Sequence, residues 1–132
     1  MKTHRLTRAG ATVVALTSAV ALACGHCDED RIAAVYDHAL SQRTLALKHE
    51  IIFFAWDGSV PLSADSRQKI LALGEAVPGV DKGSTRVSMQ PAALAVAFAP
   101  QRYSAQAVEA ALKQKLASLK LTLVRLQNPI AK

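Results

Sequence analysis

Two stretches of this chain, Glu50 to Trp56 and Ala93 to Phe98, carry apolar side chains at nearly every position. Their β-branched and aromatic content reads as strand, and a strand with two apolar faces must be covered on both. Between them, Thr85-Arg86-Val87-Ser88-Met89 alternates cleanly, as a half-exposed edge strand does. Leu121 to Leu126 reads as a last strand. A helix is expected from about Ala64 to Ala76, with Ile70, Leu73 and Val77 facing inward, stopped by Pro78-Gly79. A second follows Ser104, a capping residue, and carries Val108, Ala111, Leu112 and Leu119. The order is β-α-β-β-α-β. In a split βαβ arrangement the first and third strands are central and the second and fourth are edges. Pattern and topology therefore agree, and the fold class is α+β, a ferredoxin-like antiparallel sheet.

Such a sheet has both its helices on one face. The other face would stay apolar and open unless something covers it. An extra N-terminal helix, expected as one piece from about Glu29 to Leu47, is the obvious cover, and a homodimer is the alternative. Ile32, Val35, Tyr36, Ala39, Leu40 and Leu47 form its stripe, with Tyr36 and Trp56 assigned to the core. Val35, Leu40, Phe53, Phe54, Val96 and Phe98 are expected to be buried. His38 and His49 are read as solvated surface histidines.

Residues 1–23 read as a secretory signal. Lys2, Arg5 and Arg8 form a basic start, and Ala9 to Ala23 holds no charge. That run is shorter than the roughly 20 apolar residues of a membrane span. Ala21-Leu22-Ala23 is a cleavage site placing Cys24 first in the mature chain; cutting after Ala21 is a second candidate. The domains are then the signal (1–23), a cysteine motif with its helix (24–48) and the sheet domain (49–132). The whole chain has 16 basic and 10 acidic residues, a net charge of +6. The signal holds three of the basic residues and no acid, so 13 against 10 remain and the charge falls to about +3. No basic-aromatic stripe argues for nucleic acid. No Ser-His-Asp set, catalytic carboxylate pair or phosphate loop argues for an enzyme.

From about Glu50 to Leu126 the chain resembles the heavy-metal-associated domain family. The resemblance is carried by Ile70 through Val77-Pro78-Gly79-Val80, by Arg86-Val87-Ser88-Met89, by Leu94-Ala95-Val96-Ala97-Phe98, and by Ser104 to Leu112. It implies a ferredoxin-like fold and soft-metal handling. The family holds its metal with Cys-x-x-Cys in the loop after the first strand. Here that loop, Asp57 to Ser63, has neither cysteine nor histidine, so the family's metal ligands carry over to nothing.

The chain's two cysteines stand one helix earlier, in Cys24-Gly25-His26-Cys27. Asp28-Glu29-Asp30 follows as the acidic first turn of a helix, whose unpaired N–H groups favour a thiolate. Two thiolates suit Cu(I), then Zn(II) or Hg(II), with His26 as a third donor. The metal-site candidates are Cys24, His26 and Cys27. A mature chain beginning Cys-Gly-His could also chelate Cu(II) or Ni(II) through its amine, amides and imidazole. The tetrapeptide also resembles the active site of protein disulfide isomerases, which makes a thiol-disulfide redox protein the alternative. A plain disulfide is a third outcome. Lipidation of Cys24, which alone would bring in a membrane, gives a fourth, a non-catalytic envelope interaction module. The resulting expectation is an exported protein of the bacterial periplasm or cell envelope that binds or hands on a soft metal, with the metal ion and a protein as its partners. N-terminal sequencing of the secreted product should begin at Cys24; retention of Met1 would remove both the export reading and the amino-terminal chelate.

Overall fold

The computed structural model describes residues 27–127. The proposed signal, Cys24 and His26 lie outside them. The chain forms α1 (Asp28–Val35), α2 (His38–Ala46), β1 (Glu50–Asp57), α3 (Ala64–Glu75), β2 (Arg86–Met89), β3 (Ala92–Phe98), α4 (Ala105–Leu116) with a short 3-10 turn after it, and β4 (Thr122–Leu126). The four strands make one antiparallel sheet in the order β2-β3-β1-β4. The two central strands are those with two apolar faces, and the alternating strand is an edge. The architecture is α+β and ferredoxin-like.

Each face of the sheet has its own core. Ile52, Phe54 and Trp56 of β1 and Leu94, Val96 and Phe98 of β3 point one way, into Ile70 of α3 and Val108, Leu112 and Leu116 of α4. Phe54, Val96 and Phe98 are fully buried. Ser63 and Ser104 cap α3 and α4 by accepting from the N–H groups of Ser66 and Ala107. The Trp56 indole N–H donates to the carbonyls of Ser88 (3.2 Å) and Ala93 (3.3 Å), which ties the end of β1 to the β2–β3 hairpin. Gly79, in the Pro-Gly turn after α3, has φ +96°, and a Cβ there would stand 2.8 Å from the Tyr103 ring. Only glycine fits that contact.

Phe53, Ala55, Ala93, Ala95 and Leu126 face the other way, and Ile32 and Val35 of α1 pack on them. The alanines of β3 lack bulk, so α1 can lie close over the middle of the sheet. The N-terminal helix is therefore the cover for the second face.

It is not one helix. The expected continuous helix from Glu29 to Leu47 breaks at Tyr36 and Asp37, both extended. Asp37 decides this. One carboxylate oxygen accepts from the Leu40 N–H at 2.9 Å and caps α2; the other accepts from Arg86 Nε at 3.0 Å, across on β2. The Leu40 N–H, then the Arg86 guanidinium, hold the Asp37 carboxyl below its usual range. The break re-aims the second half, so that Leu40 and Thr44 are buried. It also leaves Tyr36 and Leu47 about half exposed, contrary to the expected continuous stripe with Tyr36 in the core. Glu75 plays a comparable part at the end of α3. Burial works against its charge, but the N–H groups of Gly83 and Thr85, each donating at 2.8 Å, outweigh that and hold its carboxyl low. The loop into β2 is fixed by these bonds.

Because Val35 is buried between α1 and the sheet, Val35→Asp would place a carboxylate in an apolar interface. Urea unfolding should show a loss of about 3 kcal/mol, with exposed Ala33→Asp nearly neutral. An unchanged midpoint for Val35→Asp would mean that α1 does not pack there.

Candidate metal centre

Cys27 is the residue at which α1 begins. Its backbone is extended, its carbonyl accepts from the Arg31 N–H at 3.2 Å, and its side chain makes no capping bond. The thiol is exposed. Asp28, Glu29 and Asp30 fill the first turn and are also exposed. This end of the helix is therefore acidic and open, and it suits a cation better than an anion.

The packing of α1 on the second face determines where Cys27 ends up. Asp28 and Arg31 line a cleft of about 670 Å³ with Asp57 at the end of β1, Leu62 of the loop after it, Met89 at the end of β2, and Thr122 of β4. The start of α1 thus lies at the same end of the sheet as the loop in which the resembling family holds its metal. At Gly58 that loop leaves no room for a side chain. Gly58 has φ +155°, and a Cβ on it would come within 2.4 Å of Leu121 Cδ2 and 3.0 Å of the Lys120 carbonyl. The Gly58 N–H is bonded to Asp57 Oδ1 at 2.9 Å.

Cys24 and His26, the other two candidate ligands, fall outside the described residues. Among the described residues no three His, Cys, Asp or Glu side chains gather closely enough to hold a metal ion. His38 is exposed, its Nδ1 3.4 Å from the Tyr36 hydroxyl. His49 departs from the expectation of a solvated side chain. It is partly buried just before β1, and its Nδ1 lies 2.6 Å from Asp81 Oδ2. That pair joins β1 to the α3–β2 loop, and the Asp81 N–H donates to Ala97 O at 2.7 Å beside it. Nothing local in the sequence marks Asp81 as the partner, because 32 positions separate the two. Arg31 and the cleft around it had no sequence signal.

A second cleft, of about 910 Å³, opens beside α1 and α2 over the outer part of the same sheet face, between Leu45, Ile51, Phe53 and Leu126. No helix among the described residues is long and apolar enough to cross a membrane.

No family model matches the chain, and no curated protein matches it. Solved structures of similar fold include oxidized MerP from Ralstonia metallidurans CH34, at 16% identity and TM-score 0.47, over 60% of this chain and 99% of that one. A copper binding domain from HMA7, a P-type ATPase, also has 16% identity and TM-score 0.47, over 60% and 96% of the two chains. The N-terminal domain of the zinc(II) ATPase ZiaA in its apo form has 20% identity and TM-score 0.45, over 63% and 74%. These are likenesses of fold.

An exposed Cys27 should react freely. In a Cys24→Ser variant of the mature chain, a disulfide reagent such as DTNB should modify Cys27 nearly as fast in buffer as in urea. Strong protection in the folded state would show that the thiol is not open to a metal or partner.

Proposed function

We propose that this is an exported soft-metal binding protein of the copper type, which takes up or hands on a metal through the thiolates of Cys24 and Cys27. His26 assists as a weaker third donor. The observation that carries this reading is the exposed Cys27 at the start of a helix that is itself anchored on the sheet. A thiol in that place is held at the edge of a rigid body yet open to solvent. A carrier that must release its metal to another protein needs that combination.

The ligand chemistry favours Cu(I), with Zn(II) or Hg(II) less well served. Two thiolates and one imidazole match a soft ion of low coordination number, whereas structural zinc takes four protein ligands. The three carboxylates of the first turn add an attraction for cations without competing as soft donors. Residues 1–23 act in this reading as an export signal, and the protein works in the bacterial periplasm or cell envelope.

Reduced mature protein should take up Cu(I) in a competition with a chromophoric chelator and ignore Mg(II). Cys27→Ser should abolish uptake; His26→Ala should only weaken it. Rapid disulfide exchange with a reduced substrate, together with no Cu(I) binding at micromolar protein, would replace this function with thiol-disulfide redox chemistry.

A further inference from the structure

The two edges of the sheet are finished differently. At β2 the edge is occupied. Arg86 is neutralised by Asp37, and α1 packs against the strand. Beyond the end of β2, Val80 pairs with Phe98 and the Asp81 N–H reaches Ala97 O, so β3 is covered there as well. At β4, no backbone or side-chain group among the described residues bonds to the outer edge.

The sheet face beside that open edge is covered only in part. α1 packs mainly on β3, β1 and β2, and of β4 only Leu126 joins the buried cluster beneath it. Val124, which points to the second face alongside Ala55, is 64% exposed. The two clefts flank α1 and meet along β4, both touching Arg125 and Leu126. Leu45, 71% exposed, overlooks the larger one.

The charges along β4 have one sign. Lys120 in the turn before it and Arg125 within it are exposed, and neither has a carboxylate within ion-pair distance among the described residues. Glu50 and Asp57 stand one strand further in, at opposite ends of β1.

We propose that β4 is the docking edge for an extended acidic segment of another protein, which adds to the sheet as a new strand and lays an apolar side chain against the exposed Val124. Backbone groups of the edge supply the affinity, the Val124 contact supplies the register, and Arg125 and Lys120 select the sign of the partner's charge. A second copy of this chain fits less well. Antiparallel pairing of β4 with itself about Val124 sets the two Arg125 side chains on one face at a diagonal spacing of roughly 7–8 Å, where like charges repel.

The test is an NMR titration of the full mature chain with a short synthetic peptide alternating glutamate and valine, and with its lysine-valine counterpart. The glutamate peptide should shift the amides of Thr122 to Leu126 and slow their hydrogen exchange, leaving those of β2 unchanged. The lysine peptide should not bind. Arg125→Glu should weaken binding roughly fivefold, and Val124→Glu should remove it, with far-UV circular dichroism unchanged in both. The proposal is overturned by no binding at millimolar peptide, by equal binding of both peptides, or by shifts centred elsewhere. It is also overturned if the outward β4 amides, those not bonded to β1, are already protected before peptide is added, or by a concentration-dependent dimer in sedimentation.

Discussion

The packing of one short helix, α1, on the second face of the sheet is the contact that the rest of this molecule depends on. A β-α-β-β-α-β sheet with two apolar central strands makes twice the apolar surface that its own pair of helices can cover. Ile32 and Val35 cover the remainder by lying on Phe53, Ala55, Ala93 and Ala95. Burying such side chains is worth about 1.5–3 kcal/mol each, enough to hold eight residues of helix that would not persist alone in water. The alanines matter as much as the larger residues, because they set how near the helix can come.

Two consequences follow from that one contact. The first concerns chemistry. Anchoring α1 fixes its start at the end of the sheet where the loop after β1 also lies, so Asp28 and Arg31 line a cleft with Asp57 and Leu62 although 29 positions of sequence separate Asp28 from Asp57. Cys27, the exposed residue that opens α1, stands at that same end. The loop after β1 has no room for a side chain at Gly58 and holds neither cysteine nor histidine. The second consequence concerns the surface. A helix of this length reaches β4 only at Leu126, so among the described residues β4 keeps an open edge, an exposed Val124 and an Arg125 without an ion-pair partner.

Asp37 links these parts. A single carboxylate ends one helix, starts the next and reaches β2 through Arg86. It therefore sets both the length of α1 and the direction in which α2 leaves it. Because α1 ends at Val35, its stripe is only two residues long, and the side chains that a continuous helix would have buried, Tyr36 and Leu47, face outward instead. His49 and Asp81 do similar work on the far side, joining the entry of β1 to the loop before β2.

The strands, their order and the division into central and edge strands were determined by the sequence itself, because burial on one face or two writes directly into the periodicity of apolar residues. The same holds for Phe53, Phe54, Val96 and Phe98 in the core, for the cap at Ser104, and for the need of some cover on the second face. The candidate thiols were legible as residue types at a spacing. What only the tertiary structure decided are matters of relative placement. Local pattern made residues 29–47 one helix, since nothing in the flanking residues shows that Arg86 stands opposite Asp37, nearly fifty positions away. In the same way His49 reads as solvated until Asp81 is brought against it. That Cys27 should come to the end of the sheet where the first loop lies, and that β4 should be the edge left open, depend on where a helix of a given length comes to rest on a twisted sheet. Periodicity records which side of an element is buried; it does not record which distant side chain completes a hydrogen bond, or how far along the sheet the cover extends.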